Sequence, residues 1–357
     1  MSLKNKLLGI ALTASLALTA FTDADAATRD EIAAISVKAN GSDFKYWTKD
    51  AKALNALKSY IKDVTDKNSA NFIPKEDRIA VFDMDGTILC ETAPIYFDHS
   101  FFMHRVFDDP SFKPTKEQYE TAKNVEAKAK HIGAPYPSAN TAKVAVSAFT
   151  DMTDKEFEKK AKEYMKENVT GLTNLKWGEA FYLPMIEVIS YLAHNDFKVY
   201  VVSGSERQIC RALIVGIMDI PTNQIIGTDI VYKAEHQGDK AALDYIYQKD
   251  DKLLRGEFII KDLQMNKVSA INREIGKQPV LAFGNSMSDA SMMNFAITGN
   301  KYKTLAFGVI CDDREREMGS PKTEAVMLQG CRDYGWIPIS MKNDFKTIYG
   351  DNVKLQK

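Results

Sequence analysis

Short apolar runs that stop abruptly in small or acidic residues set the rhythm of this chain. Ile79-Ala80-Val81-Phe82 runs into Asp83-Met84-Asp85-Gly86-Thr87, and Phe197-Lys198-Val199-Tyr200-Val201-Val202 into Ser203-Gly204-Ser205. Val280-Leu281-Ala282-Phe283 runs into Gly284-Asn285-Ser286-Met287-Ser288-Asp289, and Thr304 to Ile310 into Cys311-Asp312-Asp313. Continuous apolar segments of this length predict strands buried on both faces. Between them the spacing changes to three and four. Ala51, Leu54, Leu57, Tyr60, Ile61 and Val64 predict one helix, and Pro184 to His194, Glu206 to about Met218, and Asn266 to Ile275 predict others. Strands alternating with helices predict an α/β fold, a doubly wound, mostly parallel Rossmann-like sheet with right-handed crossovers.

The rhythm breaks twice. From residue 91 to 176 the pattern is helical and polar, with Thr115 to Lys130 and Asp154 to Glu167 rich in Lys and Glu. Asp154, Glu156 and Glu158 ahead of Lys159 and Lys160 suit a helix start, since acids favour its positive end. Turn clusters at Gly133 to Ser138 and Asn168 to Gly171 separate these helices. This predicts a helical cap, 91–176, inserted after the first strand of a core made of 27–90 and 177–357. Residues 225–258 mix short β-like runs with polar turns and are the least legible.

Composition adds the compartment. Lys4 and Lys6 precede an apolar stretch from Leu7 to Phe21, and Ala24-Asp25-Ala26 follows. This is the order of a secretory signal, read here as residues 1–26 cut after Ala26, so the expectation is an exported protein, periplasmic or secreted. The apolar stretch falls short of the ~20 residues needed to span a bilayer, and no later segment reaches that length. A net charge of −1 provides no field for nucleic acid or anionic membranes. Oligomeric state is not legible. Cys90, Cys210, Cys311 and Cys331 lack zinc spacing. Cys311 and Cys331 bracket a polar segment, and a bridge between them is expected in an oxidising compartment.

Candidate chemistry gathers at the strand ends. In an open parallel sheet, ligands bind beyond the carboxyl ends of the strands, where Asp83 and Asp85 fall. Two acids there repel each other unless a cation holds them, and oxygen donors suit Mg²⁺. The bland alternative is an acidic turn, because Asp and Gly are common in turns anyway. A Ser at the second strand end, a Lys on the helix before the third and Asn285/Asp289 after it complete the set.

The order D-x-D-G-T, Ser, Lys, G-N-S-x-x-D resembles the four motifs of haloacid dehalogenase superfamily phosphatases, and the insertion after the first motif resembles the cap of their phosphoserine-phosphatase-like branch. Arg78 to Asp83, Asp313 to Glu317 and Trp336 to Lys342 add a resemblance to exported bacterial hydrolases near phosphorylcholine phosphatase. The resemblance implies an exported, Mg²⁺-dependent phosphomonoesterase acting through an aspartyl-phosphate on small phosphate monoesters, phosphocholine-like or of broad range. It implies Asp83 as nucleophile, Asp85 as general acid/base, Ser203 with the Gly204 amide on a phosphoryl oxygen, and Lys267 as the neutralising cation. Asp83, Asp85, Asn285 and Asp289 would hold the metal, Asp289 either directly or through water. Asn285 stands where many relatives have Asp, and an amide oxygen ligates without adding charge.

Several assignments stay open. Lys240, Lys252 and Lys261 compete with Lys267. Glu91 stands as a substrate-binding candidate for a cationic group, or as an ordinary helix-start acid. Tyr96, Phe97, Phe101 and Phe102 could box a trimethylammonium head by cation–π attraction, or form cap core. Asp313 and Arg314 could hold cap or substrate, or each other. The five His show no metal or triad spacing. Two other functions remain: a non-catalytic envelope protein that retains the fold, and a 2-haloacid dehalogenase, which has no use for the acid at Asp85.

Overall fold

The computed structural model describes residues 26–91, 94–130 and 138–356. The signal segment and most of the Gly133 to Ser138 turn lie outside the described residues. The chain opens with α1 (Arg29–Ala33) and α2 (Lys52–Thr65), then β1 (Ile79–Phe82). Next come α3 (Phe97–Phe107), α4 (Lys116–Ala129), α5 (Ser138–Ser147), α6 (Asp154–Tyr164) and α7 (Leu183–His194). The sheet resumes with β2 (Lys198–Glu206), α8 (Arg207–Ile214), β3 (Ile225–Ala234), β4 (Leu253–Ile260), α9 (Met265–Glu274) and β5 (Leu281–Gly284). The last elements are α10 (Ala290–Ile297), β6 (Leu305–Ile310), α11 (Pro321–Tyr334), β7 (Ile337–Ser340) and α12 (Met341–Asp344).

Seven strands form one sheet in the order β4-β3-β2-β1-β5-β6-β7, with every neighbouring pair parallel except β3 and β4. β1 sits centrally, with β2 to β4 on one side and β5 to β7 on the other. Its carboxyl end is therefore the place where strand order reverses, and a crevice opens there. The apolar runs are continuous because both faces are covered. Phe82, Phe283 and Phe307 stack across β1, β5 and β6 at 4.2 and 4.9 Å on one face. Val81, Ala282 and Ala306 serve the other.

Three strands were not legible as such. β3 and β4 lie in the mixed 225–258 region and form the antiparallel edge. β7 reads Ile-Pro-Ile-Ser, and Pro338 cannot donate to a ladder, which suits it to an edge strand. α8 also stops four residues before the expected Met218. Val215 turns extended at its end and Gly216 follows at φ +86°. Among the described residues no helix is long and apolar enough to cross a membrane.

The expected Cys311–Cys331 bridge is absent, and all four cysteines are free thiols. Cys331 is buried on α11 in the core of one sheet face, and Cys311 packs against the core of the opposite face. The sheet itself keeps them apart.

The residues between β1 and β2 are helical, and local signals explain why. Thr115 and Thr153 each cap a helix by accepting from the backbone N–H three residues on, while Gln118 and Glu156 return the bond. Phe97, Phe101, Phe149, Phe157 and Tyr164 form the aromatic interior of this insertion. Its α5–α6 connection adds to the β4 edge: Asp151 N–H donates to the Arg255 carbonyl at 2.9 Å, and Arg255 N–H to the Met152 carbonyl at 2.8 Å. Buried Arg255 then pairs with Glu206 at 2.8 Å and covers the Phe157 ring at 3.7 Å. These contacts set the insertion against the strand ends.

Candidate active site

Asp83 directly follows β1, and its backbone N–H bonds the Phe283 carbonyl of β5 at 2.9 Å, so the central ladder holds it in place. Gly86 makes the turn behind it at φ +79°. A Cβ there would sit 1.9 Å from Asn285 Nδ2, so only glycine meets both demands. The turn closes through Gly86 N–H to the Leu89 carbonyl at 2.7 Å, which points Asp85 back toward the strand ends.

Lys267 is the resolving feature among the competing lysines. It is completely buried on α9, and its Nζ donates to Asp83 Oδ1 at 2.5 Å, Asp289 Oδ1 at 2.7 Å and the Val202 carbonyl at 2.7 Å. Burial opposes its charge, but Asp289 and Asp83 outweigh that and hold its pKa above the ordinary lysine value. Lys252 instead pairs with Glu235, and the Lys240 ammonium lies 5.8 Å from the Tyr245 ring. Asp289 is committed on both oxygens: Oδ2 accepts from the backbone N–H groups of Asn285 and Ser286, each at 3.1 Å. It thereby fixes both Lys267 and the loop that carries Asn285.

Asn285 presents its Nδ2 to Glu91 Oε2 at 2.7 Å. Asp83, Asp85, Glu91, Gly204 and Asn285 all line one cleft of about 390 Å³, together with Tyr96, Asp98, His99, Lys128, Ser205 and Lys261. Ser203 does not reach it. A register irregularity in β2 between Val202 and Glu206 re-aims these side chains. Ser203, fully buried, accepts from Ser205 N–H at 3.0 Å, while Ser205 Oγ donates to Asp85 Oδ2 at 2.6 Å. β2 also continues through this segment, so Gly204 stands within the strand and the helix starts only at Arg207.

The acids are crowded. Burial, then repulsion from Asp289, pushes Asp83 up to about 7 against the pull of Lys267. Burial, then Asp98 and Asp83, pushes Asp85 up to about 8, and burial with Asp83 and Asp85 does the same to Glu91. Asp85 Oδ1 is buried without a hydrogen-bond partner. An orphaned carboxylate oxygen among mutually repelling acids fits a divalent cation, and an all-oxygen donor set fits a hard one. Of the candidate ligands, Asp85 Oδ1 is without a partner, Asp83 Oδ1 and Asp85 Oδ2 already accept from Lys267 and Ser205, Asn285 Oδ1 meets only the Thr87 hydroxyl at 3.5 Å, and both oxygens of Asp289 are engaged.

Other candidates resolve as structure. Phe97, Phe101 and Phe102 are buried in the insertion, and of the four aromatics considered only Tyr96 lines the cleft. Asp313 accepts from Arg316 Nε at 2.5 Å and from two backbone N–H groups, while Arg314 pairs with Glu324. Asp98, His99, Lys128 and Ser205 were not singled out from sequence. Their spacing carries no signal, because tertiary packing alone brings α3, α4 and the β2 irregularity to one cleft.

A family model described as haloacid dehalogenase-like hydrolase matches residues 80–294. No curated protein matches the chain. Similar solved structures include a conserved functionally unknown protein from Anaerococcus prevotii DSM 20548 (TM-score 0.47, 14% identity, covering 80% of this chain and 91% of that one). They also include a cytosolic 5'-nucleotidase IIIB bound to cytidine (TM-score 0.45, 12% identity, 80% and 95% covered). A third is a phosphoserine phosphohydrolase-like protein from Francisella tularensis subsp. tularensis SCHU S4 (TM-score 0.37, 12% identity, 65% and 87% covered). The family match spans more than half of the chain and runs from β1 through Asp289, so this protein belongs to the haloacid dehalogenase-like hydrolases.

Proposed function

We propose that this protein is an exported, Mg²⁺-dependent phosphomonoesterase that works through an aspartyl-phosphate on Asp83. The observation that carries the reading is the Lys267 ammonium bridging Asp83 and Asp289 beside an Asp85 oxygen that has no partner. Phosphoryl transfer needs a nucleophile, a proton donor for the leaving alcohol and positive charge near the equatorial oxygens. Asp83 bonds phosphorus as the ester oxygen departs, and Asp85 delivers a proton to that oxygen. Asp85 then takes a proton from water as the water attacks the aspartyl-phosphate, releasing phosphate and regenerating Asp83. Lys267 keeps Asp83 oriented and offsets charge throughout, and the Gly204 and Ser205 segment supports the phosphoryl and Asp85 sides. Mg²⁺, held by Asp83, Asp85 and Asn285, with Asp289 behind them, would neutralise the phosphate and the acids.

The test is hydrolysis of p-nitrophenyl phosphate by the purified protein, with Mg²⁺ and with excess EDTA. Turnover that chelation silences and Mg²⁺ restores is expected. Full activity in chelator removes the metal assignment, and no phosphate release with Mg²⁺ removes the phosphatase reading.

A further inference from the structure

The backbone makes its least comfortable bend where α9 begins. Among the described residues four that are not glycine have positive φ. Asp151, Asn174 and Asp196 belong to the types whose short polar side chains tolerate the left-handed region. Gln264 is the exception. Its φ of +53° with ψ of −128° is the geometry of the first central residue of a type II′ turn, where Gly, Asn and Asp dominate. A long side chain there stores backbone strain, and such strain persists only where surrounding contacts fix it.

The contacts of Gln264 lead to one turn, residues 286–291. Its N–H donates to the Ser288 carbonyl at 2.9 Å, its Nε2 donates to the Met287 carbonyl at 2.8 Å, and its Oε1 accepts from Ser291 Oγ at 3.4 Å. The same turn carries Asp289, which accepts from Lys267 Nζ at 2.7 Å. Two rungs therefore join the start of α9 to this turn, a buried ionic one through Lys267 and an exposed one through Gln264. On the other side of the bend, Leu263 lines the cleft and packs so close to Gly204 that a Cβ there would lie 2.5 Å from Leu263 Cδ2. The bend thus stands between a residue that faces the cleft and the helix that delivers Lys267 to Asp83. Glycine would take this bend without strain, but it has no side chain with which to reach Met287 and Ser291.

We propose that Gln264 is a positioning residue, whose side chain holds the start of α9 against the 286–291 turn and so fixes where Lys267 meets Asp83 and Asp289. This rests on the phosphatase reading, in which Lys267 orients the nucleophile. The test compares the parent, Gln264→Gly and Gln264→Ala in p-nitrophenyl phosphate turnover with Mg²⁺ and in thermal unfolding. Both variants lose the side-chain tether, and only the glycine variant also loses the strain. In both, kcat should fall by about tenfold or more with KM changed by less than about threefold, because a small misplacement of Lys267 is felt in the transition state. The unfolding midpoint of Gln264→Gly should nonetheless lie about 1–4 °C above that of Gln264→Ala, the reverse of the usual order for these two residues. A residue that served stability alone would move activity and midpoint together. A kcat within about twofold of the parent in either variant overturns the inference, as does a loss carried by KM alone. A Gln264→Ala midpoint equal to or above that of Gln264→Gly overturns it as well. A parent that releases no phosphate from this substrate overturns the phosphatase reading itself, so the two failures are distinguishable.

Discussion

The floor and the wall of the cleft are built by opposite means. On the floor, Asp83, Lys267 and Asp289 are buried, arrive from strand ends and one helix, and satisfy each other and nearby backbone groups. On the wall, Tyr96 is half-buried and Lys128 is exposed, and both stand at helix ends, over an aromatic interior whose Phe97, Phe101 and Phe102 do not line the cleft. Chemistry that cannot tolerate an ångström of slack sits in the packed core. The wall side chains, by contrast, can change without disturbing that core.

The sharpest way to break this contrast is on the floor. Asp83→Asn should reduce phosphate release to background while the fold survives, because an amide is a poor nucleophile toward phosphorus. Asp85→Asn should lose ~10²–10⁴-fold if it transfers the proton. Rates from circular-dichroism-matched preparations check both, and an Asp85→Asn rate within a few-fold of the parent would end that role.

Stability should divide along the same line. Lys267→Met leaves Asp83 and Asp289 buried without their cation, which should cost about 3–5 kcal/mol in metal-free protein, measured by urea unfolding. A loss below about 1 kcal/mol would mean that the floor is not held by this ion pair.

A buried acid behind the sheet sharpens the point, because it is held without any cation in contact. Glu187 on α7 accepts from the backbone N–H groups of Lys45 and Tyr46 at 2.6 and 3.1 Å. Burial, against those two bonds, pushes it up to about 7 from 4.5. The folded state thus holds the proton more tightly than the unfolded chain does. Its contribution to stability is fully present below about 4.5 and is lost as pH rises through about 7, on the order of 3 kcal/mol. Glu187→Gln cannot titrate, so the stability of the parent relative to this variant should fall between pH 5 and 8. Parallel curves would refute the shift.

The smallest effect belongs to the wall side. Thr153→Ala removes one capping box at the start of α6 and should cost about 1 kcal/mol, with p-nitrophenyl phosphate turnover as the companion measurement. A loss several-fold larger would show that the insertion is coupled to the core more tightly than the floor-and-wall division allows.

Read from sequence alone, the four central strands, the helices between them and the strand-end positions of Asp83, Asp85, Asn285 and Asp289 were legible. Each depends on local rules: short apolar runs, helical spacing, and acids or glycine where a strand stops. Choosing Lys267 over Lys261 drew on the family's order of motifs, and packing decided it by burying one and leaving the other on the cleft wall. The inward turn of Ser203 and the approach of Ser205 to Asp85 came from an irregularity in β2 that no periodicity records. Cys311 and Cys331 are close along the chain, yet the sheet lies between them. Sequence determines which segments become strands and helices because those preferences act over a few residues. Which side chains face one another across the cleft was decided by tertiary packing, because it depends on register, strand irregularity and the docking of α3 to α6 on β4 and α8.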